Sequence, residues 1–158
     1  MKQLLIFYHS QTGNTQRLAE AAYDGALSLN QTFDAAEQIR VVLKRASEVS
    51  IKDLQLADVW LIATPENFAY MSGEIKAVFD RSYEAIREQT AGRPYGLIVS
   101  CDNDGRGAVS SVAQIMTGYG MRLIQPELIV RGSTVDETQA QQAYELGQYM
   151  AACLGLSQ

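Results

Sequence analysis

Five short runs of apolar, mostly branched residues constrain the fold of this chain more than any other feature. Each run is apolar throughout instead of alternating with polar residues: Leu4 to Tyr8, Ile39 to Leu43, Val59 to Ala63, Leu97 to Val99 and Leu128 to Val130. Strands of this kind are buried on both faces, which occurs when crossover helices cover both sides of a parallel sheet. The sequence therefore predicts a five-stranded parallel sheet between two helical layers.

Amphipathic stretches separate most of these runs. Apolar residues recur at three- and four-residue intervals, as in a helix with one buried face, over 18–29, 75–86, 109–116 and 140–154. The last stretch follows Thr134-Val135-Asp136-Glu137, a capping-box pattern that predicts a helix start. Between Lys44 and Leu56 there is room only for a short helix. Strands and helices thus alternate along the chain, the pattern of a doubly wound α/β fold.

Composition and charge narrow the class of protein. The chain has 158 residues and no internal repeat, which predicts a single domain over 1–158. No apolar stretch approaches the roughly 20 residues that span a bilayer, so we expect no membrane span. Met1-Lys2-Gln3 leads straight into the first strand, so we expect no signal peptide and a cytoplasmic protein. A formal net charge of −5 argues against a nucleic acid partner. Two cysteines and one histidine predict no metal site.

The first loop, residues 10–15, joins the first strand to the first helix. It places three hydroxyl side chains around Gly13, a residue that lets a backbone approach a ligand closely. The start of a helix presents unpaired N–H groups and a partial positive charge, so it can hold a phosphate without a lysine. Ser, Thr and Asn also cap helices for their own sake, and that alternative stays open. No lysine occurs between Lys2 and Lys44 and the loop has one glycine, which argues against Walker A and dinucleotide loops and favours a phosphate monoester.

Two further loops follow strands whose carboxyl ends are expected at the same edge of the sheet. The second loop, residues 64–73, contains Phe68 and Tyr70, which suit either a planar ligand ring or packing over the sheet edge. The third loop, residues 100–107, has the spacing Asp102-x-Asp104-Gly105, but an EF-hand starting at Ser100 would need Glu where Ser111 stands. Calcium binding is therefore not predicted.

The motif Ser10-x-Thr12-Gly13-x-Thr15 resembles the phosphate-binding signature of the flavodoxin family, and the order of elements resembles that family over essentially the whole chain. Ser72-Gly73, followed by the helical stretch Lys76 to Arg81, resembles the flavodoxin-like NAD(P)H-dependent reductases, including quinone reductases. The resemblance implies a three-layer α/β/α flavodoxin-like fold, with a five-stranded parallel sheet in the order 2-1-3-4-5, and FMN as cofactor.

The resemblance also implies which residues bind FMN. The phosphate would be held by Ser10, Gln11, Thr12, Gly13, Asn14 and Thr15. The flavin ring would lie against Thr64, Pro65, Glu66, Asn67, Phe68 and Tyr70, under a loop formed by Cys101, Asp102, Asp104, Gly105 and Gly107. Arg106 would meet the phosphate of a nicotinamide nucleotide or remain solvated. No side chain is expected to act as a catalytic acid or base, because the flavin carries the chemistry. His9 is expected to support the first loop, and Cys101 to be a small loop residue instead of a nucleophile.

Two functions remain within this family. One is an oxidoreductase that takes electrons from NADPH or NADH and passes two of them to a quinone or similar acceptor, or to a redox protein; the other is a one-electron carrier. The first is favoured by the lack of glycine between Thr64 and Ser72, by Arg106 in the third loop, and by the absence of a long insertion in Met121 to Gly132. A response regulator or a small tyrosine phosphatase is excluded, because the first loop has neither their acidic residues nor a cysteine. Whether the chain forms a homodimer is left open.

Overall fold

A mostly parallel sheet forms the centre of the computed structural model, which describes residues 1–34 and 37–155. Its strands are β1 (Gln3–Tyr8), β2 (Arg40–Arg45), β3 (Val59–Asn67), β4 (Tyr70–Met71), β5 (Pro94–Cys101), β6 (Arg122–Leu123) and β7 (Leu128–Arg131). The strand order is β2-β1-β3-β5-β6, and β7 also pairs with β5. All of these pairings are parallel, whereas β4 pairs with β3 in an antiparallel hairpin.

Helices cover both faces of the sheet, as the buried strands predicted. They are α1 (Asn14–Asn30), α2 (Ile51–Leu56), α3 (Gly73–Ile86), α4 (Arg106–Tyr119) and α5 (Glu137–Gly155), with a short 3-10 helix at Ala46–Glu48. One buried cluster joins α1 and α5 to the sheet, and the other joins α2, α3 and α4 to its opposite face. The predicted three-layer arrangement is therefore confirmed.

The central strand β1 shows why an apolar run predicts this position. All six of its residues are buried. Leu4 and Ile6 belong to the cluster under α1 and α5, while Leu5 and Phe7 belong to the cluster on the other face. On that second face Phe7 and Trp60 meet edge to face, with ring centroids 6.2 Å apart, a favoured geometry for aromatic pairs. A strand buried on both faces has no position at which a polar side chain reaches water.

The predicted count and order of strands are wrong: the sheet has seven strands in the order 2-1-3-5-6, not five in the order 2-1-3-4-5. One extra strand arises because β3 continues past Ala63 to Asn67 and the chain turns back as β4. The other arises because residues 124–127 separate β6 from β7. Pro126 lies in that break, where its missing N–H cannot continue a ladder. β6 and β7 are consequently two separate strands.

The start of α5 also differs from its prediction. Asp136 Oδ1 accepts the N–H of Gln139 at 2.7 Å, and Gln139 Oε1 accepts the N–H of Asp136 at 3.0 Å. The reciprocal pair is thus Asp136 with Gln139, two residues later than the predicted Thr134 with Glu137. The two donors at the start of this helix are satisfied in the same way that the motif anticipated.

Because β1, β3, β5 and β7 are parallel, their carboxyl ends lie at one edge of the sheet. The His9 N–H donates to Ala63 O at 3.2 Å, and the Gly132 N–H donates to Cys101 O at 3.0 Å, which draws the chain after each strand toward its neighbour. All three predicted loops leave this edge. Within 1–34 and 37–155, no helix is long and apolar enough to cross a membrane.

Candidate functional site

A cavity of about 300 Å³ opens at the carboxyl edge of the sheet, between the loops that follow β1, β3, β5 and β7. From the predicted loops it is lined by Gln11, Thr12, Asn14, Thr15, Pro65, Glu66, Asn67, Cys101 and Asp102. Its size lies at the lower end of the roughly 300–1,000 Å³ typical of small-molecule sites, and it lies where ligands bind in parallel α/β folds. The structure therefore brings parts of all three predicted loops together.

Gly13 sets the conformation of the first loop. It is the N-cap of α1, with φ of +97°, and its N–H donates to Ser10 Oγ at 3.1 Å. A Cβ built on Gly13 would meet no atom within 4 Å. Glycine is therefore required here by its left-handed backbone.

The amino end of α1 carries unpaired backbone donors. The first bond of the helix runs from Arg17 N–H to Gly13 O at 3.0 Å, so the N–H groups of Asn14, Thr15 and Gln16 precede it. In the part of the chain that the structure describes, no side chain caps this helix and no acidic residue lies in its first turn. The alternative of a simple helix cap therefore has no support. Open donors and an uncompensated helix dipole are the two features that favour anions at helix starts in general.

The three hydroxyls of the first loop have different roles. Ser10 Oγ accepts the Gly13 N–H, and Thr15 is buried with its Oγ1 2.7 Å from Ser100 Oγ. Among the described residues Thr12 makes no side-chain hydrogen bond, and it lines the cavity. Thr15 therefore joins the first loop to the third, and Thr12 is the hydroxyl available to a ligand.

The second loop forms the hairpin between β3 and β4. Its turn residues, Phe68 and Ala69, have φ of +53° and +56°, the backbone of a type I′ turn. Phe68 is fully exposed and Tyr70 is 40 % exposed, and neither lines the cavity. The Thr64 side chain is buried. Its Oγ1 donates to Pro65 O at 2.8 Å and accepts the Ser72 N–H at 3.0 Å, so the hydroxyl is fully used inside the loop.

Glu66 connects the second loop to α4. One of its carboxylate oxygens, Oε2, accepts the N–H of Ala108 at 3.2 Å. This N–H lies in the first turn of α4, where backbone donors have no partner inside the helix. The carboxylate thus caps the helix that follows the third loop.

The third loop is arranged around buried Cys101 and the start of α4. Burial raises the pKa of the Cys101 thiol, and the nearby carboxylate of Glu66 raises it further, so the thiol stays protonated at neutral pH. Asp104 Oδ1 accepts the Arg106 N–H at 3.0 Å, and Gly105, with φ of +72°, is the N-cap of α4. The Arg106 guanidinium pairs with Glu127 Oε1 at 3.0 Å. This loop presents an inert thiol to the cavity and directs its arginine to an internal partner.

Several predicted site residues lie outside the cavity lining. They are Ser10, Gly13, Thr64, Phe68, Tyr70, Asp104, Gly105, Arg106 and Gly107. Ser10 instead borders a neighbouring cleft of about 410 Å³ together with His9 and Arg45. His9 Nδ1 is buried there without a hydrogen-bond partner among the described residues.

The lining also includes three residues that were not among the predicted site residues: Ser100, which begins the third loop, and Gly132 and Ser133. Ser100 belongs to β5, and the other two follow β7. The Asn14 side-chain amide donates to Ser133 O at 3.0 Å, which fixes this fourth segment against the first loop. The apolar run Leu128 to Val130 is the sequence signal for this segment, since a parallel strand there ends at the same edge as β1, β3 and β5.

Residues 4–134 match the model of the family described as NADPH-dependent FMN reductase. The chain belongs to the NADPH-dependent FMN reductase family. The matched range includes the three loops and the segment after β7, so every residue that lines the cavity lies within it. The predicted membership of the flavodoxin family, near its reductases, is confirmed.

Relatives of this FMN reductase family member carry two kinds of name. A flavodoxin of Aquifex aeolicus is 34 % identical over 80 residues, covering 51 % of this chain and 40 % of the relative. A probable NAD(P)H dehydrogenase (quinone) of Arabidopsis thaliana is 26 % identical over 120 residues, covering 66 % of this chain and 44 % of the relative. The chain spans less than half the length of these curated relatives.

Solved structures agree on the fold. A flavodoxin from the domain Archaea superposes with a TM-score of 0.81 at 20 % identity, covering 96 % of this chain and 98 % of that one. A WrbA-like flavodoxin from Agrobacterium tumefaciens superposes with a TM-score of 0.76 at 16 % identity, covering 98 % of both chains. At these identities the likeness establishes the flavodoxin-like fold of this family member and nothing finer.

Proposed function

We propose that the protein binds FMN in the cavity at the carboxyl edge of its sheet, and that it is an oxidoreductase using NADPH or NADH as reductant and a quinone or similar acceptor. The observation that carries the proposal is the open amino end of α1 beside the second and third loops. Its unpaired donors would hold a phosphate beside a space that would take a planar ring. Membership of the family supports this function over others of the same fold.

The chemistry of the donors fits a phosphate monoester. The start of α1 supplies backbone N–H groups and the hydroxyl of Thr12, and none of these groups adds negative charge. The acidic residues of the lining, Glu66 and Asp102, belong to the second and third loops, and Glu66 is already engaged by the Ala108 N–H. The helix start would hold the phosphate, while Pro65, Asn67 and Cys101 would border the ring.

When bound, FMN supplies the two-electron redox chemistry, and the protein supplies binding, orientation and exclusion of water. The Thr15 hydroxyl, paired with Ser100, keeps the first loop against β5. The Asn14 amide, bonded to Ser133 O, closes the side of the cavity formed after β7. These contacts fix the first loop against β5 and against the segment after β7, which would hold a bound phosphate in place relative to the ring. NAD(P)H and quinone are suggested by the family description and by the name of the Arabidopsis relative.

Titration with FMN and with riboflavin tests the proposal. FMN fluorescence should be quenched on binding, and Thr12→Ala should raise the FMN dissociation constant about 10- to 100-fold, because a hydrogen bond to a charged group contributes ~1.5–3 kcal/mol. Riboflavin lacks the phosphate, so its affinity should not change with this substitution. Thr117→Ala is the matched control, since Thr117 is exposed on α4 and its hydroxyl donates to Ala113 O of its own helix. Equal FMN affinity in the Thr12 and Thr117 variants would refute the phosphate assignment.

A one-electron carrier is the second candidate, and one structural observation favours it. The absence of glycine from the middle of the second loop argued against a carrier on sequence grounds. Phe68 and Ala69 nevertheless adopt the left-handed backbone that glycine usually supplies, so this loop reaches that conformation without one. The flavodoxin of Aquifex aeolicus among the relatives points the same way. Direct reduction by NAD(P)H separates the two candidates, since a carrier requires a partner protein as its reductant.

A further inference from the structure

The hairpin between β3 and β4 ends in an exposed aromatic ring. Phe68 is fully exposed at its tip, with a relative accessibility of 104 %. Both turn residues, Phe68 and Ala69, lie in the left-handed region, which side chains with a Cβ seldom occupy. The chain thus presents a large apolar side chain to solvent from an unfavourable backbone.

This arrangement does not stabilise the fold. A non-glycine residue in a sparsely populated backbone region costs on the order of 1–3 kcal/mol, and an exposed ring gains none of the burial energy of a core phenylalanine. Such strain persists only where neighbouring structure holds it, and it is concentrated at functional sites. Both the anchoring of the turn and its use therefore need an explanation.

The anchoring comes from the first turns of α4. Ser111 Oγ accepts the Met71 N–H at 3.0 Å and donates to Ala108 O at 2.9 Å. Glu66 Oε2 accepts the Ala108 N–H on the other strand of the hairpin. Between these bonds the turn lies directly on Gly107, where a Cβ would overlap the Ala69 carbonyl and lie 2.8 Å from Ala69 Cα. Both strands and the tip of the hairpin are therefore fixed to one helix.

The anchored tip stands at the margin of the cavity. Glu66 and Asn67 line the cavity and Phe68, the next residue, does not. The Phe68 ring therefore meets solvent at the border of the site, where it is accessible to a planar ligand ring. An aromatic face binds planar conjugated rings by offset stacking, which contributes about 0.5–1.5 kcal/mol beyond area burial.

We propose that Phe68 is the stacking platform for the planar ring of a substrate taken from solution, and that Gly107 and Ser111 are positioning residues that hold it there. The proposal rests on the proposed function, since it assigns the substrate contact of the same site. The shared chemistry is a flat conjugated ring, which either a quinone acceptor or the nicotinamide of the reductant provides. Phe68 is then a substrate contact and not the wall behind the flavin.

Nuclear magnetic resonance of FMN-loaded protein tests the contact without turnover. The chain has four phenylalanines, so the ring signals of Phe68 are assigned by their loss in Phe68→Leu. We expect menadione, a planar quinone, or NADP⁺ to move the Phe68 signals upfield, while those of half-buried Phe33 stay fixed as an internal control. The probe that causes the larger shift identifies the source of the ring. Phe68 signals that move on FMN loading and then ignore both probes would overturn the proposal, because the ring would then face the flavin.

Kinetics test the positioning residues. If the ring is that of the quinone, the ratio of kcat/KM for menadione to kcat/KM for ferricyanide should fall about three- to tenfold in Phe68→Leu, the factor that stacking energy corresponds to, and recover in Phe68→Tyr. If the ring is the nicotinamide, kcat/KM for NADPH or NADH should fall by the same factor and recover in the same variant. Ser111→Ala should lower whichever of these two values Phe68→Leu lowers, Ser111→Thr should restore it, and Ser110→Ala, at an exposed neighbouring site on α4, should leave it unchanged. An unchanged acceptor ratio together with an unchanged kcat/KM for both nucleotides, in Phe68→Leu protein that is fully loaded with FMN, would overturn this inference alone. Failure of the wild-type chain to take up FMN would overturn the proposed function and this inference with it.

Discussion

Replacing Gly107 by alanine probes the contact between the hairpin and α4 most directly. A Cβ at this position would overlap the backbone of Ala69, and backbone cannot rotate away as a flexible side chain does. The hairpin must shift, which strains or breaks the Met71 bond to Ser111 and the Ala108 bond to Glu66. Overpacking costs ~1–3 kcal/mol and each lost hydrogen bond about 1 kcal/mol, while alanine in a helix recovers up to ~1 kcal/mol. The free energy of unfolding should fall by about 2 kcal/mol.

Urea and thermal unfolding measure this change. For a chain of this size, about 2 kcal/mol corresponds to a decrease in Tm of ~4–8 °C, with an unchanged urea m-value. Gly73→Ala is the matched control, because Gly73 begins α3 and a Cβ there would meet no atom within 4 Å. That variant should be as stable as the wild type, or more stable by ~0.5–1 kcal/mol. If Gly107→Ala were as stable as Gly73→Ala, the hairpin could not lie against α4 as described.

Two further predictions concern pH. Burial raises the pKa of Asp53, but the hydrogen bonds that Lys44 and Ser50 donate to its carboxylate outweigh burial and hold the pKa below its ordinary value of 3.8. Asp53→Asn should therefore cost about 1 kcal/mol of unfolding free energy at pH 7. Urea titrations should show the difference from wild type shrinking as the pH falls below 3.8. Burial raises the pKa of Tyr119 to about 12, against an ordinary 10.0. The stabilising effect of the neutral phenol is therefore complete below pH 10.0 and is lost as the pH rises through 12. Ultraviolet titration should show a tyrosine that ionises near pH 12 and is missing in Tyr119→Phe, and an identical titration of the two proteins would contradict this.

The layers of the fold were predictable because uninterrupted apolar runs mark strands that are buried on both faces. An uninterrupted apolar strand such as Leu4 to Tyr8 can only be covered on both faces, and the helical stretches supply the cover. The hairpin β3–β4 left no such signal, since Phe68 and Ala69 are not residues that mark a left-handed turn. The break between β6 and β7 did leave one in Pro126.

The candidate site was predictable to the level of loops but not of contacts. Ser10 to Thr15 could be assigned to a helix start because strand and helix are adjacent in sequence. Three contacts join residues that are distant in sequence: Thr15 with Ser100, Glu66 with Ala108, and Arg106 with Glu127. No local sequence pattern predicts such pairs. They decide which side chains remain available to a ligand. Thr12 remained available, whereas Arg106 is held at Glu127.

Anaerobic mixing of the FMN-loaded protein with NADPH, and separately with NADH, tests the central proposal most directly. The flavin absorption band near 450 nm should bleach on mixing with one or both nucleotides and return when menadione is added, because a reductase accepts electrons from the nucleotide and passes them to the quinone. Dithionite serves as the control that shows the flavin to be reducible. A band that bleaches with dithionite but persists with both nucleotides would contradict the reductase and identify a carrier that depends on a partner protein.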